Sequence, residues 1–83
     1  MNHDQIWNAV NERYKADKAA HAGFPDHVCG QAAMVARHVG KLTHVAVVKK
    51  YGKELNQDEL NAKLEEHALD TIVQAIRFLE NIK

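Results

Sequence analysis

The stretch RHVGKLTHVAVVKKYG, Arg37 to Gly52, decides how this chain is read. Val39, Leu42 and Ala46 lie three and four residues apart, and the pattern runs back through Val35, Ala32 and Val28 in alternating steps of four and three. That is the apolar row of one long helix packed against a neighbour. The same helix is also unusually basic: from His27 to Lys53 there are five Lys or Arg (Arg37, Lys41, Lys49, Lys50, Lys53) and no acid. Upstream, Gly23-Phe24-Pro25 breaks any helix, because glycine weakens it and proline biases the preceding residue toward extended backbone. Asp26 then stands where an N-cap is expected. Downstream, Gly52 fits a left-handed C-cap, and the polar GKELNQ run reads as a turn.

The flanks supply two more helices. From Asp4, Ile6, Trp7, Val10 and Tyr14 recur at helical spacing, with an expected end near Ala22. Asn56 followed by Glu59 resembles a capping box and opens a third helix through Leu60, Leu64, Ala68, Ile72, Ala75, Leu79 and Ile82, with a second row at Leu69, Val73 and Ile76. The sequence therefore predicts an all-α fold: one domain over residues 1–83, an antiparallel bundle of three helices, two of them long at about 25 residues or roughly 38 Å each. The shorter first helix cannot cover both long apolar stripes, so assembly as a homo-oligomer is expected.

Composition narrows the function classes. The chain is 46% hydrophobic and 27% charged with one Pro, which fits an ordered helical protein. No segment approaches the roughly 20 apolar residues of a membrane span, and no secretory leader pattern opens the chain, so a cytoplasmic protein without a membrane partner is expected. The single cysteine, Cys29, cannot form an internal disulfide and reads as a small buried hydrophobe. His21, His27 and Cys29 match no zinc-ligand spacing and are too few for a site, so no metal or cofactor is assigned. Eleven Lys and Arg balance eleven Asp and Glu, and the basic groups occupy more than one helix face, which disfavours nucleic acid as a partner.

Charge is separated between helices instead. Residues 57–83 hold six acids against three bases. Beside the apolar row of the second helix runs a polar stripe, His27, Gln31, Met34, His38 and Lys41, with Arg37 and His44 adjoining it. The third helix carries a counterpart in Lys63, His67, Asp70, Gln74 and Arg77. Two such stripes facing each other would bound a cleft. Trp7, Asn11 and Tyr14 share a face of the first helix and offer a flat surface to a ring, although aromatic residues at this spacing more often fill a core. Lys49, Lys50 and Lys53 read as solvated surface.

VGKLTHVAVVKKYG, followed after a short loop by LEEHALDTIVQAIRFLENI, resembles the two central helices of the MazG-like all-α nucleotide pyrophosphohydrolases. The resemblance implies a helical fold, a nucleotide pocket and two carboxylate pairs that hold magnesium against a nucleoside triphosphate. Those four positions fall here on Lys41, His44, His67 and Asp70, and only Asp70 is a carboxylate. Ammonium and imidazolium groups would then take over the metal's role as counter-charge, giving a binding site without a catalyst. Short chains of this kind look common in phages, where nucleotide pools and nucleotide signals are targets. The expected ligand is a nucleotide or another phosphate-bearing small molecule, held by Arg37, His38, Lys41, His44, His67, Asp70 and Gln74 with Trp7, Asn11 and Tyr14. No catalytic residue is assigned. Two other readings stand beside it: a magnesium-dependent pyrophosphohydrolase with a rearranged site, and a helical module that docks on or inhibits a host protein.

Overall fold

The computed structural model describes residues 1–82; Lys83 lies outside the described residues. Three helices run up, down and up: α1 His3–Ala20, α2 Val28–Tyr51 and α3 Gln57–Asn81. The element order and both long helices agree with the periodicity. Among the described residues no helix is long and apolar enough to cross a membrane.

Local chemistry sets the boundaries. α1 starts earlier than the apolar spacing implies, because Asn2 and Gln5 form a reciprocal capping box: the Asn2 side chain accepts from the Gln5 N–H, and the Gln5 side chain accepts from the Asn2 N–H, both at 2.8 Å. α2 is capped by His27 and not by Asp26; its Nδ1 accepts from the Gly30 N–H at 3.0 Å. This requires glycine at position 30, where a Cβ would come within 2.8 Å of the His27 ring. Gly52 does end α2, but at φ −99° it is not left-handed. Its N–H bonds to the Val48 carbonyl and its own carbonyl accepts from the Leu55 N–H, a turn so tight that a Cβ would meet Leu55 at 2.7 Å. Asn56 caps α3, accepting from the Glu59 N–H at 3.1 Å, but the Glu59 side chain does not return the bond that would complete the expected capping box.

α3 is the central element. α1 packs on one side of it and α2 on another, and α1 and α2 do not pack against each other. The α1–α3 core is Val10, Leu69 and Val73, bordered by Ile6, Tyr14, Ile72 and Ile76. On the α2 side, Val45 and Leu60 are buried. The α1–α3 core follows the second apolar row of α3; of the first row Leu60 is buried, Leu64, Ala68, Ile72 and Ala75 are half-buried, and Leu79 and Ile82 are exposed. The row on α2 is likewise not its buried face: Val28 and Val39 are 62% and 43% exposed, and Ala32 and Ala46 are exposed too. The buried residues of α2 are Gln31 and Val45, with His38 half-buried between them; of the row, Val35 and Leu42 are half-buried and the other four face open space. Cys29, expected to be buried, lies on that outward side of the first turn and is exposed.

Candidate functional site

Because α1 and α2 both pack on α3 but not on each other, a cleft of about 400 Å³ opens between them with α3 as its floor. The 21–27 connection closes one end through Phe24 and Pro25. That connection is tied to α2 by buried Gln31, whose Nε2 donates to the Pro25 carbonyl at 2.9 Å. The volume falls within the usual range for small-molecule sites, about 300 to 1,000 Å³.

The floor is polar and buried. Gln74 and Arg77 are each only 4% exposed although both sit at the heart of a small domain. The Arg77 guanidinium donates to Asp17 Oδ2 of α1 at 2.8 Å and lies 4.8 Å from the centre of the Phe24 ring, so its charge is both paired and stacked. Asp17 also accepts from Gln74 Nε2 at 3.2 Å. This fixes the carboxamide, since the opposite flip would set Oε1 against a carboxylate. Gln74 Oε1 is then a buried acceptor without a partner. Leaving such a group unmade costs about 1 to 3 kcal/mol, which a ligand N–H or O–H would relieve.

The wall contributed by α2 carries Arg37, His38 and Lys41. Arg37 and Lys41 are exposed and form no ion pair among the described residues. With Asp17 committed to Arg77, the cleft retains two uncompensated cations. His38 also faces it, with a buried Nδ1 that lacks a partner. Burial lowers its pKa below 6.5, with Lys41 and Arg37 adding to the effect and Asp70 and Asp17 opposing it. The imidazole is consequently neutral in the free protein near pH 7, and the resting positive charge comes from Arg37 and Lys41 without it.

Of the residues assigned to the ligand by sequence, Arg37, His38, Lys41 and Gln74 line this one cleft, as do Met34 and Arg77 of the two polar stripes. The other assigned residues do not. His44 is exposed further along α2, and half-buried His67 keeps an unpartnered Nδ1 away from the cleft lining. Asp70 is bound by Arg13 of α1 at 2.8 Å. Trp7 is 47% exposed and tilts against His3, Asn11 is exposed, and Tyr14 packs on the core with its hydroxyl donating to Glu80 at 2.6 Å. No flat ring-binding surface faces the cleft from these three. Sequence reasoning missed Asp17 and Phe24. The signal for Asp17 was its place four residues after Arg13, continuing the buried row of Val10. Among the described residues no three His, Cys, Asp or Glu converge as metal ligands. Comparison with protein-family models, curated proteins and solved structures finds no match for the chain.

Proposed function

We propose that the chain binds a nucleotide-type anion in this cleft without turning it over, and does so as a homo-oligomer. The observation that carries the reading is the pairing of two uncompensated cations, Arg37 and Lys41, with a buried, orientationally fixed and unsatisfied Gln74 Oε1 in one cleft. Phosphate oxygens satisfy the first pair through charge-assisted bonds. An exocyclic amine or ring N–H of a base satisfies the second by displacing the side chains that cover Oε1 in the free protein. A nucleotide carries both on one molecule, which simple phosphate does not.

Binding without hydrolysis follows from the donor set. At the four positions where the MazG-like resemblance expects carboxylates stand Lys41, His44, His67 and Asp70, and the one carboxylate is occupied by Arg13. Magnesium requires oxygen ligands, which a lysine and two histidines do not offer. Lys41 instead offers an ammonium as counter-charge to a phosphate in the cleft wall. Sequestration of a nucleotide signal by a phage-type protein is the biological role that the same resemblance suggests.

Calorimetric titration of ATP and of a cyclic dinucleotide, in EDTA, into wild type and Lys41→Glu tests this. Wild type should bind at least one of them. The variant should lose tenfold to a hundredfold in affinity, corresponding to about 1.5 to 3 kcal/mol for a charge-assisted contact. Equal affinity in a helical Lys41→Glu protein would make the basic wall mere solvated surface.

A further inference from the structure

On the face of α2 turned away from the cleft, α2 and α3 bound a shallow groove of about 750 Å³. Its floor and walls are small or apolar: Ala36, Val39 and Gly40 from α2, Ala75, Phe78 and Leu79 from α3. Val39 and Leu79 are 43% and 68% exposed, and a Cβ added to Gly40 would meet no atom within 4 Å. This is where the regular apolar row of α2 points.

The surface area states how much cover is missing. The chain exposes 5892 Å², whereas a compact monomer of its 9.4 kDa mass exposes about 5,000 Å². Its radius of gyration, 14.1 Å, likewise exceeds the value of about 12 Å for a compact domain of this length. The excess of about 900 Å² is close to the roughly 800 Å² that each partner contributes to a standard interface. The cleft is lined with charged groups, so apolar burial has to come from the groove side.

Charge identifies the occupant. Arg37 and Lys41 stand in the cleft wall, which leaves α2 with Lys49 and Lys50 in its last turn and no acid. α3 opens with Asp58 and Glu59. The end of one copy's α2 is therefore complementary to the start of another copy's α3.

We infer that this groove is the interface of a two-fold dimer in which α2 of each copy lies against α3 of the other. Only an axis parallel to the helices gives that pairing; an axis across them would set α2 on α2 and α3 on α3 and take Lys50 away from the acidic turn. The parallel axis also keeps the ends level, bringing Lys50 toward the acidic first turn of the second copy's α3, Asp58 and Glu59. Both clefts then open outward. The inference rests on, and deepens, the homo-oligomer part of the proposed function, while ligand binding stands or falls separately.

Sedimentation equilibrium at tens of micromolar, on wild type, Val39→Lys and Ala36→Lys, tests it. Wild type should sediment at twice the 9.4 kDa chain mass. Either lysine variant should associate about a hundredfold more weakly, because the interface would bury an unpaired ammonium, and should sediment as a monomer with unchanged helical circular dichroism. Both sites are exposed in the single chain, so neither lysine enters its core. A monomeric wild type would overturn the inference and leave the groove to another protein; a trimer or larger ring would overturn the two-fold; dimeric variants would overturn the choice of face. Calorimetric titration of ATP into the same proteins separates the two claims. Binding that persists in the monomeric variants leaves the cleft reading intact, and a dimer that binds no ATP removes the ligand reading alone.

Discussion

Replacing Asp17 by alanine should cost the protein far more than a half-exposed acid normally does. Its Oδ2 is the partner of Arg77, whose side chain is 5% exposed, and it also receives the Gln74 amide. Without it, a buried guanidinium keeps only the Phe24 ring and a buried carboxamide loses the contact that orients it. Breaking one side of a fully buried ion pair costs about 3 to 5 kcal/mol, and because the Asp17 side chain retains 23% exposure water repays part of that, leaving an expected loss of about 2 to 4 kcal/mol. A chain of this length has about 4 to 12 kcal/mol in total, so the loss is a large fraction of it. Urea unfolding followed by circular dichroism, at one fixed protomer concentration because association also stabilises, measures it. The companion is Asp17→Ala with Arg77→Met, which removes the stranded charge and should recover most of the loss. A single variant within about 0.5 kcal/mol of wild type, the range of ordinary surface changes, or a double variant no more stable than the single, would refute the cross-helix pair as the anchor of the cleft floor.

Gln74→Leu should leave the free protein within about 1 kcal/mol of wild type, since it gives up one long hydrogen bond and also removes an unsatisfied buried acceptor, yet weaken nucleotide binding about tenfold; thermal unfolding and calorimetry on the same sample check both halves. The pH dependence follows from His38. Its folded pKa lies below 6.5, so over the window beneath 6.5 the unfolded chain binds more protons and stability falls as pH falls. Denaturation between pH 7.5 and 5, compared with His38→Gln, should show that loss only in wild type. An anion in the cleft acts the other way on the same group, so binding should take up a proton and tighten on acidification through that window. Canonical nucleoside triphosphates with magnesium or manganese should release no pyrophosphate above a buffer control, and release abolished by Asp70→Ala would restore the hydrolase reading.

The helices were legible because their signals are local. Apolar spacing, the Gly-Phe-Pro break and the Asn56 cap each act within a few residues, and the elements begin and end close to where those signals lie. What the row Val28–Ala46 does not encode is which neighbour covers it: the spacing marks an apolar face, and the structure sets that face along the edge of the α2–α3 contact, where Val35 and Leu42 are half-buried and Val28 and Val39 are exposed. Similarly, the polar stripe of α3 read as one wall of a cleft, and Gln74 and Arg77 do form its floor. Their burial depends on Asp17, 57 and 60 residues away, a distance across which sequence periodicity is silent. The end of α2 shows the same limit in miniature. Asp26 is the stronger capping residue by propensity, but His27 takes the cap because glycine at position 30 leaves room for its ring. Trp7, Asn11 and Tyr14 were placed on one helix face correctly by their spacing; what spacing alone did not give is that this face meets the core and solvent, and not the cleft.

The claim at the centre of this account is that Arg37, Lys41 and Gln74 form a metal-free nucleotide site. A thermal-shift series with mononucleotides, nucleoside triphosphates and cyclic dinucleotides, each in EDTA and in magnesium, on wild type and Lys41→Glu, tests it most directly. The account predicts that at least one nucleotide raises the midpoint of wild type equally well in EDTA, that inorganic phosphate at the same concentration raises it less, and that the shift vanishes in Lys41→Glu. No shift with any nucleotide, or a shift that requires magnesium or survives in Lys41→Glu, would contradict it.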